Sequence, residues 1–134
     1  VQPVVEPAEA LDDRLHLALD YEYWLRLALG GATFARLPRV LAGWRLYPGI
    51  KSYAQRLEMH VEVNRMMLAR LGHVPDQWIF NYAHARLEQT DIDARQHVRF
   101  AVALAALTVW ASLRWNHSLL GWSLRAQARA RLVR

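Results

Sequence analysis

No cysteine occurs in the chain. That excludes a disulfide framework and any thiolate zinc centre, and leaves six histidines as nitrogen donors for a metal. Lysine is nearly missing as well, with Lys51 alone against sixteen arginines. Glycine is sparse and scattered; its adjacent pair, Gly30-Gly31, follows a helical pattern instead of opening one, so no phosphate-cradling loop is present. There is no G-x-S-x-G elbow and no H-E-x-x-H pair. Beyond Asp93 there is no acidic residue at all. The opening VQPVVEPAEALDD is acidic and proline-broken where an export signal needs a basic start and an apolar run, so a protein that is not exported is expected.

What is present is a chain of 134 residues, 54% apolar, in the size range of one domain with a real core. The net charge of +5 suits an anionic partner. Its placement is uneven: seven arginines (95, 99, 114, 125, 129, 131 and 134) follow Ala94, while Val1 to Asp93 carries ten basic and twelve acidic residues.

Val1 to Pro7 reads as a non-helical lead-in and starts without methionine, as an excised piece would. Leu17, Asp20, Trp24, Leu27 and Ala28 recur at helical spacing, which predicts a helix starting between Leu19 and Glu22 and stopping at Gly30-Gly31. Thr33 to Leu37 and Val40 to Leu46 lack that period, carry β-branched or aromatic residues, and are expected as a short extended pair broken at Pro38. Pro48-Gly49 makes a turn. Ser52 and Gln55 have capping-box spacing, predicting a helix from Tyr53 to Leu71 with Tyr53, Leu57, Val61, Met67, Leu68 and Leu71 inward and Gly72 as its stop. Pro75-Asp76 opens a third helix to about Glu88, with Trp78, Ile79 and Tyr82 on its packing side, and Thr90 or Asp91 caps a fourth to about Trp115. The fold class expected is mainly α, with three to four helices after Ser52.

The fourth helix contains the uncharged run FAVALAALTVWASL between Arg99 and Arg114. Fourteen residues rise about 21 Å as a helix, short of the roughly 30 Å hydrocarbon core of a bilayer. A core helix is the first reading of this run and an interfacial or partner-docking helix the second. Leu119 to Arg134 interleaves Trp122, Leu124 and Leu132 with four arginines, the composition of a solvated terminal helix or of a membrane or nucleic-acid surface.

Two weaker constellations have simple structural roles. Asp91-Ile92-Asp93 has the form of a cation-binding D-x-D string, but at a helix start two carboxylates favour the positive end of the helix dipole, so capping is expected. His84 and Glu88 are four residues apart without a third ligand nearby in sequence, so a surface pair is expected.

The phrase from Leu11 to Ser52 is more specific. Leu11-Asp12-Asp13, Asp20-Tyr21-Glu22-Tyr23-Trp24-Leu25-Arg26-Leu27, Phe34, Leu37-Pro38, Val40-Leu41-Ala42, Trp44-Arg45 and Ser52 occur in an order and spacing that resemble the closing part of the catalytic domain of family 2 (GT-A type) glycosyltransferases, which use nucleotide sugars. The resemblance covers roughly forty residues. It implies that residues 1–52 are the C-terminal piece of such a catalytic domain and residues 53–134 a helical extension. It also implies that Asp20 is the catalytic base, removing the proton of the acceptor hydroxyl as its oxygen attacks the anomeric carbon.

Trp24, one turn on, then walls the acceptor pocket or packs in the core, and Arg45 meets the diphosphate. Glu22 lies about 200° further round a helix and cannot share that cleft; a surface carboxylate near Arg26 is expected there. Two positions depart from the family pattern: Tyr47 stands where a histidine is usual and Leu19 where a glutamate is.

The nucleotide-binding αβα half and its D-x-D motif precede the base in that family, and they are not among the residues before Asp20. The isolated chain is therefore expected to be an inactive fragment. No cofactor is expected in this chain, and a divalent cation (Mg or Mn) only in the full-length enzyme. The expected partners are a nucleotide sugar and an acceptor in the full-length enzyme, a second copy of the chain, and a membrane met peripherally through the Arg-rich C-terminus. Nucleic acid is not among them. The cytoplasm, including the inner face of its membrane, is the expected location. The rival class is a non-enzymatic helical interaction module with a cationic membrane- or nucleic-acid-binding tail.

Overall fold

The computed structural model describes residues 11–43, 47 and 49–118, and among these, five helices account for most of the backbone. They are α1 (Leu19–Leu29), α2 (Lys51–Ala54, a single turn), α3 (Arg56–Leu71), α4 (Asp76–Leu87) and α5 (His97–Asn116). The fold is mainly α. The chain divides into two compact units, Val1–Gln55 and Arg56–Arg134.

In the first unit, α1 begins and ends where its sequence pattern places it, and Gly31 leaves the helix at φ +83°, a conformation that costs a residue with a Cβ. Its orientation differs from the expected one. Ala18 and Glu22 are buried, whereas Asp20, Trp24 and Ala28 are exposed. The expected extended pair does not form a ladder: among the described residues there is no strand, and residues 33–43 run as bends and irregular backbone. Pro38 contributes no N–H, and among the described residues no second segment supplies ladder partners to its neighbours. Residues 44–46 of that pair lie outside the described residues. Phe34, Leu37, Val40 and Leu41 are left between 56% and 94% exposed.

The helix expected from Tyr53 to Leu71 is interrupted at Gln55, and Ser52 lies within α2 instead of capping a longer helix. In the second unit α4 is the middle element, packed by α3 on one side and α5 on the other. The face of α3 turned inward is His60, Val63, Asn64, Met66 and Met67. Tyr53 and Leu68 of the expected stripe are exposed instead. From α4 come Ile79, Tyr82, Ala83, Ala85 and Leu87, and from α5 Ala111 and Trp115. The small side chains of Ala83 and Ala111, both fully buried, leave room for the aromatic contacts that join these two helices. Tyr82 stacks on Trp110 with centroids 6.4 Å apart and meets Trp115 edge-on at 5.9 Å.

Gly72 ends α3 at φ +72°, and the short connection is clamped from a distance. The fully buried Val74 donates its N–H to Oδ1 of Asn116 (2.8 Å), and Nδ2 of Asn116 donates to the Val74 carbonyl (2.8 Å). One side-chain amide thus satisfies both backbone groups of a loop residue that cannot reach water. Asn116→Ala orphans both groups and is expected to lower stability by about 2 kcal/mol in urea unfolding. A loss no larger than a surface substitution's would show that the clamp is dispensable.

α5 begins five or six residues later than a cap at Asp91 or Thr90 predicts. Thr90 spends its hydroxyl on the carbonyl of Leu87 (2.7 Å), closing the end of α4. Asp93 accepts from the backbone N of Arg95 (2.9 Å) and from its Nε (2.8 Å), a local turn that competes with helix. The first turn of α5 then closes from Phe100 N to the Gln96 carbonyl.

Candidate functional site

The two carboxylates of α1 have opposite surroundings. Glu22 is 1% exposed, and Arg26, one turn on, donates from Nη2 to its Oε2 at 3.2 Å. The Arg26 guanidinium also lies 5.6 Å over the ring of Tyr23. The pairing of Glu22 with Arg26 follows from their i, i+4 spacing; the surface position expected for Glu22 does not hold, because α1 turns the Ala18–Glu22 side inward. Sequence reasoning missed this, since a carboxylate on an amphipathic helix is normally taken as outward.

Asp20 is exposed in the first turn of α1, and its Oδ1 accepts from the backbone N of Tyr21 at 2.7 Å. A carboxylate there also complements the positive end of the helix dipole. Trp24, one turn later on the same side, is 56% exposed, which removes its core-packing reading within this unit. Asp20 and Trp24 therefore form an open edge of carboxylate and indole. Arg45 and Trp44 lie outside the described residues. Tyr47 is exposed.

In the second unit an open depression of about 410 Å³ lies at the end of α4 and the loop into α5, lined by His84, Glu88, Thr90, Asp91, Asp93 and Phe100 among others. It brings together the two constellations that sequence spacing had kept apart. Both acids with clear partners are occupied. Glu88 receives Nη1 of Arg56 on its two oxygens at 2.8 and 3.0 Å, with Nδ1 of His84 3.1 Å from Oε1. Asp93 is held by Arg95, whose hydrogen bonds keep its carboxyl below the usual range. Among the described residues no group of three histidine or acidic side chains can hold a metal ion.

Behind that pair, α3 buries two polar side chains one turn apart. His60 is 4% exposed with Nδ1 lacking a hydrogen-bond partner, and Asn64 is fully buried with both amide atoms unpaired. The His60 ring tilts against Trp78, centroids 5.7 Å apart. Burial, then the nearby positive charge of Arg56, pushes the imidazole below its ordinary pKa of 6.5, with Glu88 opposing. In the folded chain His60 takes up a proton less readily than in the unfolded one. Its contribution to stability is thus fully present above pH 6.5 and is lost as pH falls from there through the folded-state value. The urea midpoint is expected to fall between pH 7.5 and 5, and His60→Phe, which keeps a ring against Trp78, should flatten part of that slope. An unchanged slope in the variant would assign the effect to other groups.

Compared with protein-family models, curated protein sequences and solved structures, the chain matches none.

Proposed function

We propose that the chain is the C-terminal part of a family 2 glycosyltransferase that moves a sugar from a nucleotide-sugar donor to an acceptor hydroxyl, with Asp20 as its base. The observation carrying this reading is the combination of the Asp20 to Ser52 phrase with the exposure of Asp20 beside Trp24. Of the two carboxylates in the phrase, Asp20 alone is open to an acceptor, since Glu22 is buried against Arg26. Exposed Phe34, Leu37, Val40 and Leu41 add support, as they are the surface that a nucleotide-binding half would cover.

In this reading Asp20 takes the hydroxyl proton as the acceptor oxygen bonds to the anomeric carbon and the nucleoside diphosphate departs. Trp24 flanks the acceptor, and Arg45 offsets phosphate charge. The donor site belongs to the other half of the parent enzyme, so the chain alone has no transferase activity. The test is Asp20→Asn in the full-length enzyme, with transfer and nucleotide-sugar binding measured separately. Loss of both, or of neither, sinks the assignment.

A second reading, a helical interaction module without catalysis, is favoured by one observation: α5 turns an uncharged apolar face outward. An upstream reading frame encoding a nucleotide-binding half with D-x-D decides for the transferase, and its absence decides for the module.

A further inference from the structure

α5 is long and apolar enough to cross a membrane by length and composition, yet only Ala111 and Trp115 of its twenty residues are buried. Its inward side carries Tyr82's two tryptophan partners and is committed to α4. Its outward side is not. Val98, Ala101, Val102, Ala105, Val109 and Leu113 recur at three- and four-residue spacing, so they share one face, and all are exposed. Val98 is 79% exposed and Val102 65%. No charge interrupts this face, which is the reverse of an ordinary solvated helix surface.

The charge lies along one of its borders and is of one sign. Arg86 of α4 reaches over the Trp110 ring at 5.1 Å, Arg114 over Trp115 at 5.5 Å, and Arg99 stands one turn into the helix. All three arginines are exposed, and Trp110 is itself 43% exposed. No carboxylate follows Asp93 anywhere in the chain. An apolar face bordered by indole rings and guanidinium groups has the composition of a helix lying in the headgroup region of an anionic bilayer.

We propose that the outward face of α5 docks the chain on an anionic lipid bilayer, with Val98, Val102, Val109 and Leu113 entering the acyl boundary and Arg86, Arg99 and Arg114 meeting lipid phosphates. The helix lies in the interface and does not cross it. Crossing would carry Arg99 and Arg114 into hydrocarbon, because only about 22 Å of helix separates them, and would strip α5 from α4. A second copy of the chain fits this face less well. Two such faces in contact place cationic borders against each other, and α5 has no acidic residue to relieve them. The proposal stands independently of the transferase reading.

Flotation of the full chain with vesicles of phosphatidylcholine and phosphatidylglycerol in equal parts, and with phosphatidylcholine alone, tests it. Binding to the mixed vesicles that weakens with added salt, and little binding to the neutral ones, is expected. Val102→Glu with Val109→Glu should weaken binding at least ~10-fold while leaving the circular dichroism spectrum and urea midpoint unchanged, since both side chains already face water. Val102→Gln with Val109→Gln, adding no charge, should give a smaller loss in the same direction. Undiminished binding by both variants overturns the proposal by assigning the attraction to arginines elsewhere. Failure to float with either vesicle overturns it too, and a dimer in sedimentation that the glutamate variant dissolves would identify a second copy as the occupant.

Discussion

On the proposed transferase reading, Asp20→Asn in the full-length protein is expected to lower the rate of sugar transfer about 10²- to 10⁴-fold, the span that one positioned general base supplies. Asparagine keeps the size of the side chain and an oxygen able to accept from Tyr21 N, so the start of α1 should survive the change. What it loses is the ability to hold a proton. The acceptor oxygen must then attack while still carrying its own proton, and the barrier rises without any change in donor affinity. Nucleotide-sugar binding is accordingly expected to stay at the wild-type value in calorimetry. If transfer persists at more than a tenth of the wild-type rate, Asp20 is a helix-dipole carboxylate and the base lies elsewhere.

Arg26→Met produces the second large effect, this time on stability. Glu22 remains buried after losing the guanidinium 3.2 Å away, and removing one partner of a buried pair is destabilising by about 3 kcal/mol. The lower end of the usual range applies because the Arg26 side chain is 22% exposed and water softens its loss. The paired variant Glu22→Leu with Arg26→Met removes the stranded charge as well. It should recover most of the deficit, since an apolar pair of similar volume has no desolvation penalty to offset. Urea unfolding of the three chains checks both statements; a double variant no better than Arg26→Met alone would mean that Glu22 is stabilised chiefly by other groups.

These two experiments divide a pair of carboxylates that look alike in the sequence. The i, i+4 relation of Glu22 to Arg26 is local and legible, as is the opposition of Asp20 and Glu22 around a helix, since both follow from residue spacing. Which side of α1 faces inward is not local. Its apolar residues wrap far enough round the helix that either side could be buried, and neighbouring segments choose the Ala18–Glu22 side.

The same division runs through the rest of the chain. Gly31 and Gly72 end their helices where their sequence positions predict, because a positive φ is a property of single residues. The start of α5 lies five or six residues beyond the expected cap because Asp93 found Arg95 and formed its own turn, a competition between two local hydrogen-bonding choices that composition cannot rank. Residues 33–43 have the texture of strands, but a strand exists only as one side of a ladder, and among the described residues no ladder forms.

By itself, then, the sequence determined the mainly helical class, the helix stops, the concentration of arginine after Ala94, and the phrase that resembles a glycosyltransferase. Each rests on interactions between residues within about a turn of one another, or on composition. Only the tertiary structure decided that Glu22 is inside and Asp20 outside, that Asn116 holds Val74 from 42 residues away, that Arg56 spans 32 residues to Glu88, and that the uncharged run of α5 turns half its surface outward. Those outcomes depend on which faces meet when helices pack, and packing is settled by the sum of many weak contacts between residues remote in sequence, which no local spacing records.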